Sequence, residues 1–214
     1  MTAARPSRPI RLHGFALSGH CHRVELFLRL LDLPFEVVPV DLARGEQRRP
    51  EFLALNAFGQ VPVIDDDGVV VADSNAILVY LALRYAAPSW LPRDPQGAAA
   101  VQRWLSVAAG PLAFGAARAR IVQLFKLTED AQPAIDRAHA LYRQVEGILD
   151  VQGAAWLVGD APTIADIALY TYTKHAPEGN VALDDYPKLR DWLERVESLP
   201  GFAPMQASRI GLAA

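Results

Sequence analysis

Two short polar clusters in this chain carry side chains able to do chemistry, and each sits where a helix is expected to begin. Asp73-Ser74-Asn75 puts three capping residues in a row ahead of the apolar run Ala76 to Tyr85. A helix start leaves backbone N–H groups without partners and carries a partial positive charge, so it can hold a carboxylate. Just upstream, Val61-Pro62-Val63-Ile64 reads as a strand with a proline in it. Proline has no N–H to give to a ladder, so this strand is expected to be an edge or to end abruptly there. An unpaired strand backbone can pair with an extended peptide. A small peptide with a free carboxylate fits both features.

The second cluster is Leu17-Ser18-Gly19-His20-Cys21-His22. A cysteine near a helix N-terminus can have a lowered pKa and form mixed disulfides. Its spacing to Val24 and Leu28 suits equally a small apolar residue on the inner face. The chain has one cysteine, so no C-x-x-C pair and no internal disulfide exist, which fits a reducing compartment. His20, Cys21 and His22 are consecutive and their side chains diverge. They lack the spacing of a structural zinc site, and no metal is expected. His13, His139 and His175 read as surface or packing residues, with His175 within reach of a substrate pocket.

The elements that position these groups follow from periodicity and punctuation. Ile10 to Phe15 is a short strand ending near Gly14, and Ala16 to His20 is a loop. Val24, Phe27, Leu28 and Leu31 recur at helical spacing, with Glu25, Arg29 and Asp32 on the other side. Asp32-Leu33-Pro34 ends that helix, Phe35 to Val40 is a second strand, and Pro50 to Leu55 is a short helix. An acidic Gly turn, Asp65-Asp66-Asp67-Gly68, joins Val61 to Ile64 with Val69 to Ala72 as a hairpin. The order β-α-β-α-β-β-α is that of a thioredoxin-like α/β domain with a mixed four-stranded sheet, assigned to residues 1–87. Residues 88–95 hold three prolines and form a linker. Residues 96–214 read as an all-α helical domain. It has a long helix from Gln96 to about Lys126, interrupted at Gly110-Pro111, and apolar stripes through Ile135 to Ile148 and Leu189 to Leu199. Thr163 and Asp166 have the spacing of a capping box.

Composition excludes several classes. With 214 residues and 51% hydrophobic content the chain can build a core, so disorder is not expected. A net charge of −3 argues against a nucleic-acid or anionic-membrane partner. Met1 to Pro9 has Arg5 and Arg8 with no apolar stretch behind them, so no signal peptide is expected. The apolar run Ala76 to Leu83 is too short to span a bilayer, and a soluble cytoplasmic protein is expected.

The segment Asn56-Ala57-Phe58-Gly59-Gln60-Val61-Pro62, with the Asp73-Ser74 pair behind a hairpin, resembles the glutathione-binding half of cytosolic glutathione transferases. Their loop has proline where this chain has Ala57, and its Val-Pro bond is cis. Gly159-Asp160-Ala161-Pro162-Thr163-Ile164-Ala165-Asp166 is similar to a segment of their helical domain, so the resemblance spans both halves. Ser18, three residues before Cys21, resembles the serine of theta-like and bacterial members.

The resemblance implies a chemistry. A thiol titrates near ~8.5 when unperturbed, so a transferase must stabilise the glutathione thiolate, with a hydroxyl and a helix N-terminus as means. Ser18 is the implied donor. The backbone of Val61 before a cis Pro62 would pair with the cysteinyl unit. Asp73 and Ser74 would hold the γ-glutamyl end, Gln60 would add an amide, and Gln47 and Arg48 would face the glycine carboxylate. A small electrophile would lie between the domains, near Leu17, His20, Phe114, Arg118, Ile121, Tyr170 and Tyr172. Arg118 and Arg120 on an apolar helix point to an anionic acceptor or, equally, to a solvated face or dimer contact. The expected protein is a homodimeric glutathione transferase with glutathione as co-substrate. The rivals are a glutathione-dependent oxidoreductase or peroxidase working through Cys21 and a non-catalytic binding module of the same fold.

Overall fold

Alternating apolar residues build the first layer. Ile10 and Leu12 of β1 (Ile10–Gly14) are buried, while Arg11 between them is exposed. The computed structural model describes residues 5–153 and 155–214, so part of the stretch read for a signal peptide lies outside it. β1 pairs in parallel with β2 (Phe35–Pro39), with Leu12 opposite Val37. It pairs antiparallel with β3 (Val63–Asp66), with Leu12 opposite Ile64, and β3 pairs antiparallel with β4 (Val69–Ala72). The sheet order is β2-β1-β3-β4. Helix α1 spans Gly19–Leu30, the four-residue α2 spans Pro50–Leu53, and α3 spans Ser74–Tyr85.

One expected boundary of the hairpin is corrected, and of the two readings of its proline strand the abrupt end holds. The third strand begins at Val63, not Val61, and it is an inner strand, not an edge. Pro62 has no N–H, so the ladder starts one residue beyond it, leaving Val61 outside the sheet. The Val61–Pro62 bond is cis. Asp67 and Gly68 close the turn, both at positive φ (52° and 91°), the geometry that lets a two-residue hairpin keep the strand twist. Buried Asp66 accepts from Tyr80 and Tyr85 hydroxyls, each at 2.6 Å, and fastens the hairpin to α3.

The helical domain holds α4 (Pro95–Val107), a wide-turned stretch at Ala108–Ala117, α5 (Arg118–Leu124), α6 (Gln132–Gln152), α7 (Ile164–Lys174) and α8 (Pro187–Glu197). The interruption expected at Gly110-Pro111 falls instead at Gly115, whose backbone leaves helical values (φ −100°, ψ −106°). The wide turns carry Pro111 within the helix, since a loosened ladder tolerates its missing N–H. At Gly115 a Cβ would lie 3.0 Å from the Ala138 nitrogen, so the two helix backbones cross where a side chain would not fit. Taken as one unit, Pro95–Leu124 is long and apolar enough to cross a membrane by length and composition, yet half of its most apolar window is buried against protein.

Almost every residue of α7 is buried, and this helix centres the second layer. Thr163 and Asp166 form the capping box. One apolar cluster runs from Ile10 and Phe27 through Leu105 to Ile167 and Trp192, so both halves share a core. Polar links cross the same seam. His22 Nε2 donates to the Ala203 carbonyl (2.9 Å), which leaves Nδ1 to accept from Thr171 (3.0 Å). Asn75 donates its amide to the Leu105 carbonyl.

Candidate active site

A cleft of about 720 Å³ opens along this seam. Its floor comes from the loop after β1, its far wall from the Asn56–Pro62 loop and the start of α3, and its near wall from α5 and α7.

Ser18 caps α1: its Oγ accepts from the Cys21 N–H at 3.3 Å, in the extended backbone conformation that caps adopt. The oxygen accepts there, so its own hydrogen is left as a donor, within reach of the Cys21 sulfur as well as the cleft. Asp73 caps α3 through Oδ1, which accepts from the N–H groups of Asn75 (2.8 Å) and Ala76 (3.0 Å). It does so at φ 72°, a conformation that residues other than glycine rarely adopt. Its second carboxylate oxygen is free of those bonds. Buried Ser74 Oγ accepts from Arg23 Nη1 at 2.9 Å and lies 3.4 Å from His20 Nδ1. Burial, then the nearby Arg23, holds His20 down at about 3, so its ring is neutral. Asn56 shapes the opposite loop, donating to the Gln60 carbonyl (2.8 Å) and accepting from the Phe58 N–H (3.1 Å).

Of the residues expected from sequence, Ser18, Gln47, Gln60, Val61, Pro62, Asp73, Ser74, Leu17, His20, Ile121 and Tyr172 all line this cleft. Four stand elsewhere. Arg48 is exposed and off the lining. Phe114 is 62% exposed, and Arg118 is tied to Glu129 at the surface. Tyr170 donates to Glu197 at 3.1 Å and packs edge-on to Phe202. Two residues along a helix turn by about 200°, so Tyr170 cannot share the face on which Tyr172 meets His20. Phe15, Leu42, Phe58 and Phe125 line the cleft without having been singled out for it, and Arg120, read together with Arg118, lines it where Arg118 does not.

Of the His20-Cys21-His22 cluster, only His20 lines the cleft; Cys21 and His22 both border a second cavity. His20 faces the cleft and His22 the seam, where burial holds its ring down at about 4. Cys21 is 6% exposed and lines a separate cavity of about 260 Å³ with Met205 and Gln206. Among the described residues no group of three His, Cys, Asp or Glu side chains is placed to hold a metal. Burial pushes the Cys21 thiol up, against hydrogen bonds with Ser18 and the Phe15 N–H that pull it down. A thiol held up stays protonated at neutral pH, so Cys21 is expected to resist iodoacetamide in the folded protein and react on unfolding. Mass spectrometry of the native protein checks this; rapid labelling at pH 7 would contradict it.

Comparisons with known proteins show the family of the chain. The family model of the glutathione S-transferase N-terminal domain matches residues 17–84, and that of the C-terminal domain matches residues 108–200. Glutathione S-transferase 3 of Zea mays is 34% identical over 91% of both chains. The chain belongs to the glutathione S-transferase family. It is an enzyme of that family, which uses glutathione as a substrate. A crystal structure from Rhodopseudomonas palustris, described as a possible glutathione S-transferase, is 35% identical. It superposes with a TM-score of 0.81 over 94% of this chain and all of that one. Activities differ within the family: a disulfide-bond oxidoreductase, YfcG of Escherichia coli, is 30% identical over 87% of this chain and 89% of its own.

Proposed function

We propose that this transferase binds glutathione in the seam cleft and transfers its sulfur to a small electrophile, with Ser18 stabilising the thiolate. The observation that carries the reading is a convergence. A hydroxyl donor at the start of α1, an unladdered backbone at Val61 and a capped helix start at Asp73-Ser74 all line one cavity.

The roles follow from residue type. The Val61 N–H and C=O pair with the cysteinyl unit as an added strand would. The free oxygen of Asp73 meets the γ-glutamyl ammonium, and the Ser74 hydroxyl and N–H meet its carboxylate. Gln60 and Gln47 supply amides along the peptide. This lays the thiol beside Ser18, at the start of α1, where a donated hydrogen bond and the helix dipole favour S⁻. The thiol proton leaves to solvent. The sulfur lone pair then forms a C–S bond as the leaving group departs with its electrons. The electrophile lies against Leu17, Ile121, Phe125 and Tyr172, an apolar wall of the same cleft. The protein acts as a cytoplasmic homodimer, independent of membrane and nucleic acid. Phe58, 87% exposed on the cleft rim, is a residue a second copy would cover. Sedimentation equilibrium giving the mass of one chain would remove the dimer.

Isothermal titration with glutathione tests the binding half. Asp73→Ala and Ser74→Ala are each expected to weaken binding by about 1–3 kcal/mol, the cost of one charge-assisted hydrogen bond. Unchanged affinity in both variants would place the ligand elsewhere.

A further inference from the structure

A buried ion pair in the helical domain reaches the loop that carries Ser18. Arg120 Nε donates to Glu178 Oε2 at 2.6 Å, and both side chains are 2% exposed. Glu178 is itself fixed: its Oε1 accepts from the Ser208 N–H (2.9 Å) and from His175 Nδ1 (2.6 Å). Burial holds the His175 ring below its usual value, so it donates as a neutral group. The turn carrying Glu178 presses directly on α5. A Cβ on Gly179 would lie 2.5 Å from the Arg120 backbone nitrogen, so at this approach only glycine fits.

From this anchor, Arg120 Nη1 donates to the Leu17 carbonyl at 2.8 Å. The N–H of the same peptide unit, that of Ser18, donates to the Phe15 carbonyl at 2.9 Å. A peptide unit is planar, so bonds to both its ends fix its rotation. That rotation is the motion that would swing the Ser18 hydroxyl within the cleft. A buried ion pair adds little net stability over apolar packing. Arg120 Nη2 moreover finds no partner, a cost that packing alone does not explain.

We propose that Arg120, clamped by Glu178, is a positioning residue that sets the orientation of Ser18 toward the glutathione sulfur. The inference rests on the reading of Ser18 above. Arg120 does not touch the reacting atoms; it acts through the Leu17–Ser18 peptide.

The test compares Arg120→Met, which keeps the stem and removes the donors, with Arg120→Lys, Glu178→Gln, Ser18→Ala and the Ser18→Ala/Arg120→Met double variant. Each is assayed for kcat and KM with glutathione and chlorodinitrobenzene. The pKa of the bound glutathione thiol is titrated by thiolate absorbance. Arg120→Met is expected to lower kcat roughly tenfold and raise the bound thiol pKa by about one unit, with the glutathione KM within about threefold. Arg120→Lys recovers part of the loss, since one ammonium cannot serve both Leu17 and Glu178 as the fork does. On the Ser18→Ala background the added loss is below about twofold, because both changes remove one effect. Glu178→Gln reports the same shifts if Arg120→Met does not fold. A folded Arg120→Met or Glu178→Gln with parental kcat and thiol pKa overturns the proposal. So does an equal loss on the Ser18→Ala background, which would mark general damage. If Ser18→Ala alone keeps full turnover, the Ser18 reading itself has failed, and this inference falls with it on separate grounds.

Discussion

Ser18→Ala is expected to lower the conjugation turnover by roughly 10²-fold or more, as loss of one preorganised donor at a developing anion does. The hydroxyl lines the cleft, and its oxygen already accepts from the Cys21 N–H, so its hydrogen is available to the sulfur. The same side chain caps α1, and losing a cap costs about 0.5–2 kcal/mol of stability. Turnover is therefore compared at a temperature where circular dichroism shows both proteins folded. Cys21→Ala is expected to be nearly silent, since Cys21 sits in the separate cavity behind the loop. The reversed pattern, with Cys21 trapped as a glutathione mixed disulfide, would sink the transferase reading and favour an oxidoreductase.

Asp166→Ala is expected to have the largest effect on stability. Its carboxylate is fully buried and accepts from four donors: the N–H groups of Leu157 (3.0 Å) and Thr163 (2.8 Å), the Thr163 hydroxyl (3.2 Å) and Trp192 Nε1 (2.9 Å). An ionised carboxylate is acceptor-only, which is what four converging donors require. Truncation strands them together and opens a void beside Trp192. The expected loss is about 3–5 kcal/mol, which lowers the Tm by roughly 6–20 °C in a chain of this size. Asp166→Asn puts an N–H₂ against some of those donors and is expected to lose stability as well. Scanning calorimetry checks both; a Tm within about 2 °C of the parent for the alanine variant would contradict the account.

Asp166 also shows what a sequence makes readable. Its spacing from Thr163 is a local signal, and local signals gave the strands, the hairpin turn, the caps at Ser18 and Asp73 and the order of elements. Pro62 was legible as a ladder stop, though its strand proved to be an inner one, because which strands flank it depends on the whole sheet. The meeting of Ser18, Val61 and Asp73 in one cleft is a tertiary fact. Their chain separation says nothing of it, and the expectation came from resemblance. The second half of the cleft was the least readable. Choosing among residues 114 to 125 requires a helix phase, and the wide turns with the break at Gly115 shift that phase. Phe114, Arg118 and Arg120 were named, and of these only Arg120 lines the cavity, beside Phe125, which was not named. In α7 nearly every side chain is buried, so no polar face distinguishes Tyr170 from Tyr172.

The central claim is that glutathione lies in the seam cleft with its sulfur at Ser18. A crystal structure of the protein with bound glutathione measures this directly. The account predicts the sulfur within hydrogen-bonding distance of Ser18 Oγ, the cysteinyl backbone paired with Val61 and the γ-glutamyl carboxylate on Ser74 at the start of α3. Glutathione bound with its sulfur against Cys21, or outside the cleft altogether, would contradict it.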